Sequence, residues 1–95
     1  MRLLGKQHIE DFVSRYPQSR SALTRWKKII EETTFKNLAQ LKQAFNAVDL
    51  VGEYTVFNIK GNHIRTITII EYGISQVLIT DVLTHSEYDR AKWKK

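Results

Sequence analysis

Apolar residues in the first half of the chain fall at helical spacing. Ile9, Phe12, Val13 and Tyr16 recur at i, i+3, i+4 and i+7, which predicts a first helix over residues 6–16 with one apolar stripe. Pro17 follows, where a missing amide costs nothing, so it opens a second helix. Ala22, Leu23, Trp26, Ile29 and Ile30 form the inner stripe of that helix, and Arg20, Arg25, Lys27, Lys28, Glu31 and Glu32 take its solvent side. Two helices meeting at a proline should lie as a hairpin. Asn37 with Gln40 three residues on resembles a capping box for a short third helix carrying Leu38, Leu41, Ala44 and Phe45.

From Tyr54 the period changes to two. Residues 54–59 and 63–72 are rich in Val, Ile, Thr, Phe and Tyr, and Lys60-Gly61-Asn62-His63 places Gly and Asn where a tight hairpin needs positive φ. Gly73-Ile74-Ser75 turns the chain into a further strand over residues 76–83. The pattern predicts an antiparallel meander of three strands, with Val48–Val51 available as a fourth. Thr84 and Glu87 make a second capping box, so a last short helix should start at His85 and run toward Lys92. Helices first and strands after give an α+β class, with helices packed on a three- to four-stranded antiparallel sheet.

Length and charge narrow the picture. Ninety-five residues suffice for one domain, taken as 1–95, with one modest core. Fifteen Lys and Arg against ten Asp and Glu leave a formal charge of +5, which suits a polyanionic partner such as RNA, DNA or an acidic protein segment. A hydrophobic fraction of 42% argues against disorder. With no cysteine there is no disulfide, thiolate metal site or nucleophilic thiol, and a reducing cytoplasm fits. No apolar run reaches the length of a signal-peptide core or of a membrane span of about 20 residues, so no membrane partner is expected.

The chemistry-bearing residues gather late in the chain. His85, Tyr88 and Arg65, flanked by cations, are side chains that cleavage of RNA can use: His85 as general acid or base, Tyr88 as a base-stacking or proton-donating partner, and Arg65 as a fixed cation for the phosphorane. His85 opens the predicted last helix, where first-turn amides attract phosphate; the alternative is a histidine that only bonds a nearby carbonyl. Tyr88, three residues on, shares its face and either stacks on a base, donates to the scissile phosphate or packs the helix on the sheet. Arg65 can grip a phosphate with two prongs. Strict alternation puts Arg65 on the face of Ile67 and Ile69, with Thr66 and Thr68 on the more solvated side. Three outcomes stay open: Arg65 at the sheet's rim, Arg65 turned over by a bulge, or a structural Arg65 paired with Asp81 or Asp89. Lys60, Asn62, His63, Arg90, Lys92, Trp93, Lys94 and Lys95 form a candidate RNA-binding set, the cations giving salt-dependent affinity and Trp93 a surface for a base or an anchor for the tail. Glu87 reads as a capping carboxylate, with a general base as the alternative. His8 and His63 lack neighbours at metal-ligand spacing, so neither a metal nor another cofactor is expected.

Tyr16-Pro17 and Trp26 in the helical half, the strand from Tyr54 through Phe57 to Ile59, Gly61-Asn62 leading to Arg65, and Thr84-His85-Ser86-Glu87-Tyr88-Asp89 together resemble the HigB branch of the RelE-like toxins. The resemblance spans most of the chain. It implies a microbial ribonuclease-like fold with helices on one face of a twisted sheet, and a toxin of a type II toxin-antitoxin pair. It further implies ribosome-dependent cleavage of translated mRNA, an active-site place for Arg65, and inhibition by a HigA-like helix-turn-helix antitoxin, with DNA met only through the antitoxin complex. A different class is a non-catalytic module of the same fold that binds RNA or the antitoxin.

Overall fold

The computed structural model describes residues 1–59, 63–90 and 93. In chain order it has β1 (Arg2–Leu4), α1 (Gln7–Arg15), a 3-10 turn (Pro17–Ser19), α2 (Arg20–Glu32), α3 (Leu38–Ala44), β2 (Val48–Val51), β3 (Tyr54–Ile59), β4 (Ile64–Glu71), a second 3-10 turn (Tyr72–Ile74), β5 (Gln76–Thr84) and α4 (His85–Asp89). Pro17 opens the 3-10 turn, and α2 starts directly behind it. Asn37 caps α3 by accepting from the Gln40 amide at 2.9 Å. The return bond of Gln40 goes to the Lys36 amide, one residue before the position a capping box would use.

Among the described residues the sheet has five strands in the order β1-β5-β4-β3-β2. Four of them form the expected antiparallel meander, β2 included. The fifth corrects the expectation of three or four. β1 pairs parallel to β5, with Leu3 opposite Val77, so the sheet is mixed. A strand of three residues is too short to show a period. Its exit is fixed at Gly5, whose φ is +82° and where a Cβ would run into the Ile79 carbonyl oxygen, so only glycine fits.

One face of the sheet carries the main core. Ile9, Phe12 and Val13 of α1 and Leu23, Trp26 and Ile30 of α2 pack with Leu3, Phe57, Ile64, Val77, Ile79 and Val82. Trp26 meets Phe57 edge to face at 5.2 Å. The opposite face is covered too, by a smaller cluster of Val56, Ile67 and Trp93 with Tyr54, Leu83 and Tyr88 against it. This second cover corrects the reading of β4. Alternation holds, and Arg65, opposite Asn58 and Leu83, shares the face of Ile67. Thr66 and Thr68, however, are fully buried on the helix-covered face. Thr68 satisfies its hydroxyl by donating to the Thr55 carbonyl at 2.8 Å. The only register shift between β4 and β5 lies at Ile67/Thr68, beyond Arg65, and does not turn it over.

Candidate functional site

The end of β5 and the start of β4 bring His85 and Arg65 together. Thr84 caps α4 with its hydroxyl, accepting from the Glu87 amide at 3.2 Å, while Glu87 Oε1 accepts from the Thr84 amide at 2.9 Å. The capping box is thus complete. The His85 amide donates to the His63 carbonyl at 3.1 Å, which ties the head of α4 to the head of β4. With the His85 and Glu87 amides both engaged, and α4 only five residues long, the helix start is not the open phosphate cradle that the sequence suggested. The helix also stops at Asp89, short of Lys92.

Arg65 is 5% exposed, so it lies neither at the rim nor in open solvent. One guanidinium nitrogen, Nη2, approaches His85 Nδ1 at 3.1 Å, and the guanidinium carbon stands 5.3 Å from the centre of the Tyr88 ring. His85 Nε2 lies 3.4 Å from Asp89 Oδ2, one helical turn on. A guanidinium only donates, so Nδ1 accepts and Nε2 carries the proton toward Asp89. Asp89 therefore partners the histidine. As a site residue it escaped the sequence reading, although its i, i+4 spacing from His85 is the signal that finds it.

Tyr88 stacks on Trp93 with centroids 5.1 Å apart and planes at 15°. Trp93 also meets Tyr54 edge to face at 5.4 Å, and its indole N–H donates to the Tyr88 carbonyl at 3.1 Å. Trp93 is 6% exposed, so its ring belongs to the second core and is not offered to an RNA base. Of the other candidate RNA contacts, His63 and Arg90 are exposed beside the site. Lys60, Asn62, Lys92, Lys94 and Lys95, and with them the Gly61-Asn62 turn, lie outside the described residues.

Glu87 also faces the helical layer. Its Oε2 lies 3.5 Å from Arg15 Nη1. The Thr84 amide bond, then the Arg15 charge, hold its carboxyl below the ordinary 4.5 against the opposing effect of burial. Beside His85 lies a cleft of about 440 Å³ lined by Phe12, Tyr16, Gln18, His63, His85 and Ser86, among others. Nothing in the sequence marked Tyr16 or Gln18 for the site, because the helix hairpin alone accounts for residues 16–19.

The constellation has the parts for phosphate chemistry: a histidine held from both sides, a cation beside it and a tyrosine on that cation. Among known families, the HigB toxin family, described as the RelE-like toxic component of a toxin-antitoxin system, matches residues 19–91. The chain is 30% identical over 104 aligned positions to the mRNA interferase toxin HigB of Escherichia coli (strain K12), covering 100% of both proteins. It shows the same 30% identity and coverage to the mRNA interferase HigB of Shigella flexneri. To the mRNA interferase HigB of Escherichia coli O6:H1 it is 26% identical over 93 residues, with 95% of this chain and 90% of the relative covered.

Proposed function

The chain belongs to the HigB family of RelE-like toxins, and from that premise we propose that it is an mRNA interferase, an endoribonuclease built as one domain over residues 1–95. The observation that carries the proposal is the contact of Arg65 with His85 Nδ1 at the edge of an open cleft. An entering phosphate draws the Arg65 donors onto its oxygens, as charge-assisted and two-pronged contacts favour. His85 Nδ1 is then free to take the proton of the 2'-hydroxyl. Asp89, at Nε2, orients the ring and stabilises the imidazolium.

The 2'-oxygen attacks phosphorus, Arg65 holds the charge of the phosphorane, and the bond to the 5'-oxygen breaks. Tyr88 supplies the proton to that leaving oxygen. The products are a 2',3'-cyclic phosphate and a 5'-hydroxyl. His63 and Arg90 flank the substrate, and Lys60, Asn62, Lys92, Lys94 and Lys95 extend its contacts along the backbone. Groups on the chain itself thus perform each proton and charge step, and the reaction is assigned no metal or other cofactor.

The reaction takes place in the cytoplasm on mRNA being translated, with the ribosome aligning the strand. A HigA-like helix-turn-helix antitoxin neutralises the toxin and links it to DNA. Among the described residues no helix is long and apolar enough to cross a membrane. The test is a purified transcript incubated with the protein, with and without programmed ribosomes. Cleavage only with ribosomes supports the full reading; equal cleavage without them removes the ribosome; none in either removes the nuclease.

A further inference from the structure

We propose that the cleft between the first helical turn and His85 is a nucleobase subsite, in which Tyr16 and Gln18 hold and select the base of the nucleotide whose phosphate lies at His85. The inference rests on the ribonuclease reading above and assigns the specificity of that site.

A base is held by a planar surface against its face and by polar groups along its edge. The cleft offers both. Tyr16 is half-buried at the end of α1, backed by the buried Phe12 ring with centroids 4.8 Å apart. The Arg15 guanidinium stands 5.4 Å from the Tyr16 ring centre and helps hold that ring in place. Gln18 is exposed on the turn that follows, and its carboxamide carries a donor and an acceptor side by side.

The turn itself is held rigid. Pro17 fixes its own φ, and both the amide and the hydroxyl of Ser19 donate to the Tyr16 carbonyl, at 2.9 and 2.6 Å. Ser19 is only 2% exposed, so its polar groups serve this clamp. A specificity contact needs such a fixed support, because a mobile side chain accommodates every base. His85 and Ser86 line the same cleft, with His63. A nucleotide with its phosphate at His85 therefore places its own base against Tyr16 and Gln18. The volume of about 440 Å³ lies within the range of small-ligand sites.

The experiment has a binding arm and a cleavage arm. In the first, the whole protein is titrated with the four nucleoside 3'-monophosphates and followed by amide NMR. Base-dependent shifts at Tyr16, Gln18, Ser19 and His63 are expected, and should be reduced in Tyr16→Leu. In the second, ribosome-programmed cleavage is profiled over messages that differ only in the base beside the cut. Gln18→Ala should narrow the ratio of best to worst base by about tenfold while cutting continues. Gln18→Glu, which only accepts, should move preference toward guanine, whose edge presents adjacent donors. Shifts that are equal for all four bases, or confined to His85 and Arg90, overturn the subsite, as does an unchanged base profile in Gln18→Ala. Failure of wild type to cleave RNA removes the ribonuclease reading, and the NMR arm then still decides whether the cleft binds bases.

Discussion

Arg65 and His85 stand 3.1 Å apart, nitrogen to nitrogen, joining a side chain buried under the sheet to one exposed at its end. The pairing fixes the histidine tautomer and gives the buried cation an acceptor. It also means that any change at one residue is felt at the other, so tests must separate chemistry from packing.

Replacing His85 by Gln keeps an oxygen that can accept from Arg65 but removes the imidazole, the proposed proton-transfer group. The melting temperature should stay within a few degrees of wild type while cleavage falls by about 10² to 10⁴. Early melting with normal cleavage of the folded fraction would make His85 a structural residue.

Arg65 is tested by a pair of variants. Arg65→Lys keeps the charge but cannot both reach His85 and lie flat on Tyr88, and should cost about 1–3 kcal/mol in denaturant unfolding as well as most of the activity. Arg65→Met removes a buried charge at similar volume and should leave stability within about 1 kcal/mol while abolishing cleavage. If Arg65→Met retains activity, the cation has no part in the reaction.

Trp93→Ala should lower stability by about 3 kcal/mol, because it opens a cavity beside Val56 and Ile67 and removes the platform under Tyr88. A residue used only to stack RNA would instead weaken binding with no change in unfolding.

Acid should loosen the head of α4. Glu87 has a folded pKa below its ordinary 4.5, so the folded state holds its proton less tightly than the unfolded one. Its stabilisation is complete above the unfolded value and is lost as pH falls from there through the folded value. Glu31, lowered by its hydrogen bond to Lys6, adds to the same acid limb. Melting temperature followed from pH 7 down to about pH 3 should fall, and Glu87→Gln should flatten the curve. An unaltered acid limb in Glu87→Gln would separate the cap from acid stability.

Replacing Lys92, Lys94 and Lys95 together by Gln should reduce the dependence of RNA affinity on salt, alike for different sequences. An unchanged slope of log affinity against log salt would remove these residues from the interface.

Much of this fold is legible in the sequence because its signals are local. The α1 and α2 stripes, the Tyr54–Ile59 strand and the Thr84/Glu87 box each lie within a few residues and need no partner to be recognised. What escaped depends on distant contacts. β1 gains strand geometry only from β5, and the Thr66 and Thr68 assignment failed because α4 and Trp93 cover a face that alternation treats as interchangeable with the other. The site divides in the same way. His85, Tyr88 and Arg65 carry recognisable chemistry and Asp89 follows His85 at i, i+4, whereas Tyr16 and Gln18 acquire their places only when the end of α1 meets the head of α4.

The parallel pairing of β1 with β5 also sets an order in time. β1 has its place beside β5, in contact with α2, and cannot take it until residues 76–84 have emerged. Pairing across so long a separation is slow to close, and the elements that bear Arg65 and His85 are made late. Until β5 and α4 have been made, a growing chain therefore cannot bring Arg65 and His85 together.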